Sequence, residues 1–147
     1  MTREERTARS ELETLAARDA GRKLLQLALR GIHESGRGLT VGCWVKPNGG
    51  VSGCVFQHAY WQGVAEGTFA PADTAKPGIR EFVPAEDFRL VMDAIRALDA
   101  LGKRRFLRRR GVVRVLDEVA WRNAVERLLV DALAAATTER QSALVTA

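Results

Sequence analysis

Residues 39–60, LTVGCWVKPNGGVSGCVFQHAY, decide how the chain is read. Two β-prone runs, Leu39 to Val45 and Val51 to Tyr60, flank Pro47-Asn48-Gly49-Gly50. Asn-Gly between such runs is the strongest short hairpin signal. With Asn48-Gly49 as a two-residue turn, Val45 faces Ser52, Trp44 faces Gly53 and Cys43 faces Cys54. The Trp44 ring then covers the bare Gly53 backbone. Val41, Cys43, Val45, Cys54 and Phe56 share one apolar face fit for burial. The competing reading makes residues 51–62 helical and abolishes this hairpin.

Upstream, Thr2 to Ser35 reads as one long helix. Thr2-Arg3-Glu4-Glu5 and Ser10-Glu11-Leu12-Glu13 both have capping-box spacing. Leu12, Leu15, Leu24, Leu27 and Ile32 lie near one stripe, flanked by Ala16, Ala20 and Ala28. Gly21 interrupts it and predicts a break or a close helix contact. Between Gly36 and Pro84 charge drops, and all four prolines, both cysteines and the only tyrosine occur there. That composition predicts turns, with Gly63 to Gly78 as loop and a short strand around Val64 to Phe69.

Downstream, Phe82 to Leu101 is an amphipathic helix. Pro84 suits its start, Glu86 and Asp87 suit the positive end of its dipole, and Gly102 stops it. Its apolar stripe is Phe88, Val91, Met92, Ile95, Leu98 and Leu101. Phe106-Leu107 and Val112 to Leu116 are β-prone around Gly111, which predicts a second hairpin with Arg108 to Arg110 at its tip. Asp117 caps a third helix, Glu118 to Ala136, that buries Trp121, Val125, Leu128, Leu129, Ala132 and Leu133. The order is helix, hairpin, helix, hairpin, helix. It predicts a single small α+β domain over 1–136, with antiparallel strands. Residues 137–147 carry no pattern and are expected to fray.

At 147 residues, 46% hydrophobic and 28% charged, the composition is that of a globular chain and excludes wholesale disorder. No apolar run approaches the roughly 18–20 residues that span a bilayer. The charged N-terminus has no signal-peptide core, and two cysteines without an export signal imply a cytoplasmic protein with reduced thiols.

The charge is local. Seven of the 23 Lys/Arg residues are Lys103, Arg104, Arg105, Arg108, Arg109, Arg110 and Arg114, with no acid among them. Without them, 16 basic residues face 18 acidic ones, and the net charge of +5 becomes −2. Closely spaced arginines match phosphate edges, so this run is the candidate nucleic-acid-binding site, or the site of an acidic partner surface. A helix followed by a basic hairpin, over Pro84 to Leu116, resembles the recognition helix and wing of winged-helix proteins. That resemblance implies a nucleic-acid contact. Here the expected partner helix before it is replaced by a hairpin and a long loop. Glu86, Asp87, Asp93 and Asp99 on the helix face would repel phosphate.

Other constellations carry less. His58, Tyr60 and Trp61 form a candidate contact loop, rich in polar aromatics, although such rings also build cores. Cys43, Cys54, His58 and His33 have no metal-ligand spacing, so no metal or other cofactor is expected. Cys54 and His58 would meet at i, i+4 in a helix, with no third group to orient them. Glu66 is the carboxylate best placed for acid–base work. The expected function is therefore non-enzymatic binding, largely independent of base sequence, without a membrane. The alternative is a protein–protein or homo-oligomer assembly subunit using the helical faces. A thiol- or metal-dependent enzyme in residues 36–78 ranks third.

Overall fold

Thr2 opens the first helix, α1 (Arg3–Ala16), by accepting a hydrogen bond on Oγ1 from the Glu5 amide at 3.1 Å. The long N-terminal helix is two helices, because α2 (Asp19–Glu34) begins after a break at Ala17 and Arg18. The last turn of α1 tightens there, with the Arg18 amide donating to the Leu15 carbonyl at 3.1 Å. Arg22 reaches back and donates to the Ala16 carbonyl at 3.1 Å. Gly21 is the close contact. A Cβ at that position would stand 2.2 Å from the Leu15 carbonyl oxygen.

The computed structural model describes residues 1–42, 50–73 and 75–146. Six helices and two strand pairs are present among them, an α+β architecture. After α2 come β1 (Gly38–Leu39), β2 (Ser52–Gly53), α3 (Val55–Ala65) and α4 (Ala75–Phe82). Helix α5 (Ala85–Leu101) follows, then β3 (Leu107–Arg110), β4 (Val113–Leu116) and α6 (Glu118–Thr146). Helix α2 packs mainly on α3, and α1 mainly on α5 and α6. The core they enclose includes Leu12, Leu15, Leu24, Leu25, Phe56, Tyr60, Trp121 and Leu129.

The reading of residues 39–60 as an antiparallel hairpin is overturned. Strands β1 and β2 pair in parallel, Gly38 with Ser52 and Leu39 with Gly53. The chain then turns helical at Val55, with Cys54 in extended conformation ahead of it. The expected turn at Asn48-Gly49 and the partners Cys43 and Trp44 lie outside the described residues. The physical reason for the helix is burial on several sides. Val55, Phe56, Gln57, His58, Ala59 and Tyr60 are all buried, so no polar face marks a helical period. Helix α3 lies so close to α2 that a Cβ on Gly31 would stand 2.5 Å from the His58 carbonyl oxygen.

Three further expectations change. The loop with a strand near Val64 to Phe69 is instead the end of α3, a turn at Gly67 (φ +81°) and then α4. Pro84 precedes α5 and Phe82 belongs to α4, so the order before the second hairpin is helix, two-residue turn, helix. Helix α6 also runs past Ala136 to Thr146, with residues 137–145 exposed.

Candidate nucleic-acid interface

The hairpin grows out of α5 through a π-helical turn, Gly102–Phe106. Gly102 is needed there, since a Cβ would stand 2.2 Å from Val41 Cγ1. Phe106 is buried beside Trp121, ring centroids 5.3 Å apart. The Asp117 amide donates to the Phe106 carbonyl at 2.8 Å, which closes the root of the hairpin. Strands β3 and β4 are antiparallel, with Leu107 opposite Leu116, Arg108 opposite Val115, Arg109 opposite Arg114 and Arg110 opposite Val113. This is the second hairpin expected from the sequence. Gly111 has φ +63°, and Val112 does not enter the left-handed region. That is the sign pattern of a type II′ turn, which needs glycine at its first central position.

The seven cations divide into distinct sets. Arg104 pairs with Glu4 at 3.2 Å, and Arg105 pairs with Glu5, both acids in the first turn of α1. Arg114 donates to the Lys103 carbonyl at 3.1 Å and so ties β4 to the π turn. Lys103 is exposed and lies against Gly42. Arg108, Arg109 and Arg110 are exposed, and among the described residues no acid pairs with them. Arg109 nevertheless faces another arginine directly across the strands, an arrangement that destabilises a hairpin without a counter-charge. Four exposed cations therefore remain available to an anionic partner, three of them consecutive.

The acids expected to repel phosphate are largely engaged. Asp87 is buried, and its Oδ1 lies 3.0 Å from Arg18 Nε. Asp93 pairs with Arg96 at 3.3 Å. Asp99 accepts a hydrogen bond from the Gly42 amide at 2.9 Å. Glu86 is exposed, as are Arg89 and Arg96 on the same helix.

The contact loop expected at His58, Tyr60 and Trp61 is not a loop. All three lie on α3, and His58 and Tyr60 are buried. Tyr60 donates its hydroxyl to the Ala70 carbonyl and stacks on Phe69 at 5.3 Å. Trp61 is half-buried, and its face is taken by the Arg37 guanidinium, 4.1 Å from the ring centroid. His58 Nδ1 lies 3.2 Å from Ser35 Oγ and Nε2 lies 2.9 Å from the Gly38 carbonyl. Burial pushes its pKa below the usual imidazole value, and the charges of Arg122 and Arg37 act in the same direction.

The remaining candidates are also dispersed. His33 is exposed on α2 and faces Glu126 at 3.8 Å, whereas Cys54 is buried. Cys43 lies outside the described residues. Among the described residues no cluster of His, Cys, Asp or Glu is arranged to hold a metal ion. Glu66 is held by Arg30 in a two-bond fork, both contacts 2.9 Å, and by Gln62 at 2.7 Å. Those bonds lower its pKa, so it stays ionised.

Sequence reasoning missed the α1 acids that neutralise Arg104 and Arg105. The capping-box signature at Thr2 to Glu5 marked those acids as a first turn, but nothing in it indicated which cations they meet. Comparison with protein-family models, with curated proteins and with solved structures found no match. Among the described residues no helix is long and apolar enough to cross a membrane.

Proposed function

We propose that this protein is a non-enzymatic nucleic-acid-binding protein that contacts backbone phosphate through its β3–β4 hairpin. One observation carries the reading: Arg108, Arg109 and Arg110 are exposed and unpaired among the described residues, while their neighbours Arg104 and Arg105 are already neutralised. Arginine is the side chain whose planar fork matches phosphate oxygens. The hairpin is rooted by the Phe106–Trp121 contact and by the Arg114–Lys103 hydrogen bond, so its cations are held on a supported scaffold. Contacts of this kind position a backbone and carry no base information, so binding is largely sequence-independent. A cytoplasmic setting, where thiols stay reduced, suits such a partner.

The test is a salt titration of the full chain on mixed-sequence DNA and RNA, against Arg108→Ala/Arg109→Ala/Arg110→Ala. Three phosphate contacts correspond to a log–log salt slope of about 2.7 on duplex DNA, and that part of the slope disappears in the variant. An unchanged affinity and slope remove the idea.

The exposed end of α6 favours a second reading. Leu144 and Val145 are 79% and 86% exposed on its last turns. Apolar side chains on an exposed helix suit an assembly contact, with another copy of the chain or with a partner protein. Sedimentation equilibrium separates the two readings: a stable oligomer that carries no nucleic acid favours assembly.

A further inference from the structure

The tip of the hairpin carries an apolar side chain that the fold does not use. Val112 is 98% exposed, the most exposed large apolar residue among those described. Turn positions favour Gly, Pro, Asn, Asp and Ser, and a β-branched valine brings no turn chemistry of its own. Val113 and Val115 behind it are 60% and 40% exposed. Gly111 adds no side chain, so the apex is a backbone turn bearing the Val112 methyl groups alone.

The arginines are arranged around that tip. In an antiparallel pair, directly opposed residues share a face and successive residues alternate. Arg108 and Arg110 therefore lie on one face with Val113 and Val115, and Arg109 lies on the other with Arg114. A ribbon resting flat on an anionic surface uses cations on one face. A ribbon entering a groove between two phosphate walls uses cations on both. The three exposed strand pairs extend about 10 Å from the root, at roughly 3.4 Å per residue. The minor groove of DNA is about 7.5 Å deep but only about 6 Å wide, so the ribbon is long enough to reach its floor and needs the groove to open, which is what a wedge that unstacks a step and bends the duplex toward the major groove does.

From this placement we infer that the hairpin enters the minor groove of duplex DNA and that Val112 is an apolar wedge that parts a base step there. The inference rests on the nucleic-acid reading above and adds to it the form of the ligand and its deformation. Apolar wedges of this kind partly unstack a step and bend the duplex by about 20–90°. Pyrimidine–purine steps open most easily and are the preferred sites.

The test uses the full chain and short duplexes carrying the fluorescent base 2-aminopurine beside a TA step, with end labels that report bending. Wild type is compared with Val112→Ser and with Arg108→Ala/Arg109→Ala/Arg110→Ala. The wedge predicts a fluorescence rise and a shortened end-to-end distance for wild type. Val112→Ser is predicted to lose both, to bind about tenfold more weakly and to keep the wild-type salt slope. Because this side chain is almost wholly exposed, its replacement does not threaten folding. Binding without a fluorescence change, or a Val112→Ser variant that still unstacks and bends, overturns the wedge alone. Absence of binding to any nucleic acid overturns the function reading and the wedge together. Capture by anionic vesicles that depends on Val112, with DNA left undeformed, overturns the wedge in favour of a lipid surface.

Discussion

His58 Nε2 lies 2.9 Å from the carbonyl oxygen of Gly38, which fixes the ring nitrogen that carries the proton. A carbonyl only accepts, so Nε2–H donates, and Nδ1 is left to accept from the Ser35 hydroxyl. Ser35 Oγ in turn accepts from the Arg37 amide at 3.2 Å. The neutral ring is thus satisfied on both sides inside the core. With the folded pKa lowered from 6.5, the unfolded chain binds the proton more readily. Stability from this group is complete above the unfolded value and is lost as pH falls from about 6.5 through the folded pKa. We expect the unfolding free energy to decline over that window with a slope of at most about 1.4 kcal/mol per pH unit. Urea unfolding at pH 7.5 and pH 5.5 checks it. His58→Gln should remove this part of the decline, and a variant with the wild-type pH dependence would assign the effect elsewhere.

The same residue shows where the sequence misleads. Val55, Phe56 and Tyr60 are β-prone and follow an Asn-Gly signal, so local chemistry favours a strand through His58. The helix forms because α2 and its neighbours bury nearly every side, which erases the polar stripe that periodicity detects. Helices α5 and α6 were legible because each keeps a wet face. The second hairpin was legible because Gly111 stands between β-prone runs. At the candidate site, the local excess of arginine could be read from the chain. The pairing of Arg104 and Arg105 with Glu4 and Glu5 could not, since those partners stand about a hundred positions apart and only tertiary packing brings them together. The apolar tip at Val112 was visible as a residue, but its meaning depends on an exposure that only the folded hairpin defines.

Gly31 sets the distance between α2 and α3. A Cβ there would meet the His58 carbonyl oxygen at 2.5 Å, and a backbone atom inside a packed helix has little room to yield. Gly31→Ala should therefore destabilise the protein by about 1–3 kcal/mol, although alanine is the better helix former in isolation. A denaturant midpoint at or above that of wild type would show that the two helices can separate freely.

Arg122 ties α6 to the end of α2. Its guanidinium donates to the Ile32 and Arg37 carbonyls, both at 2.6 Å, and the Ile32 carbonyl belongs to the last turn of α2, where intrahelical donors run out. Removing a charged donor to two acceptors should cost about 1.5–3 kcal/mol. Arg122→Ala is expected to lower stability by that amount. Arg122→Lys should recover only part of it, because one ammonium lacks the fork that spans both oxygens. Full recovery in the lysine variant, measured by urea unfolding, would reduce the role of Arg122 to its charge.

Glu4 and Glu5 govern how much of the basic run is available to an anion. They hold Arg104 and Arg105 at the root of the hairpin, leaving Arg108, Arg109 and Arg110 unpaired among the described residues. If the ligand runs along the whole stretch from Lys103 to Arg114, replacing both acids frees two further cations. The log–log salt slope on duplex DNA then steepens by up to about 1.8, and affinity rises at low salt. If only the tip is engaged, the slope stays at its wild-type value. The wedge geometry favours the second outcome, because the root lies beyond the groove's depth. Glu4→Gln/Glu5→Gln is therefore expected to leave the slope unchanged. Its structural cost should be small, since each pair keeps an exposed arginine against a half-buried glutamate, and pairs that open to solvent contribute about 0–1 kcal/mol each. A steeper slope would extend the contact down to α1 and place the hairpin along the duplex instead of within its groove.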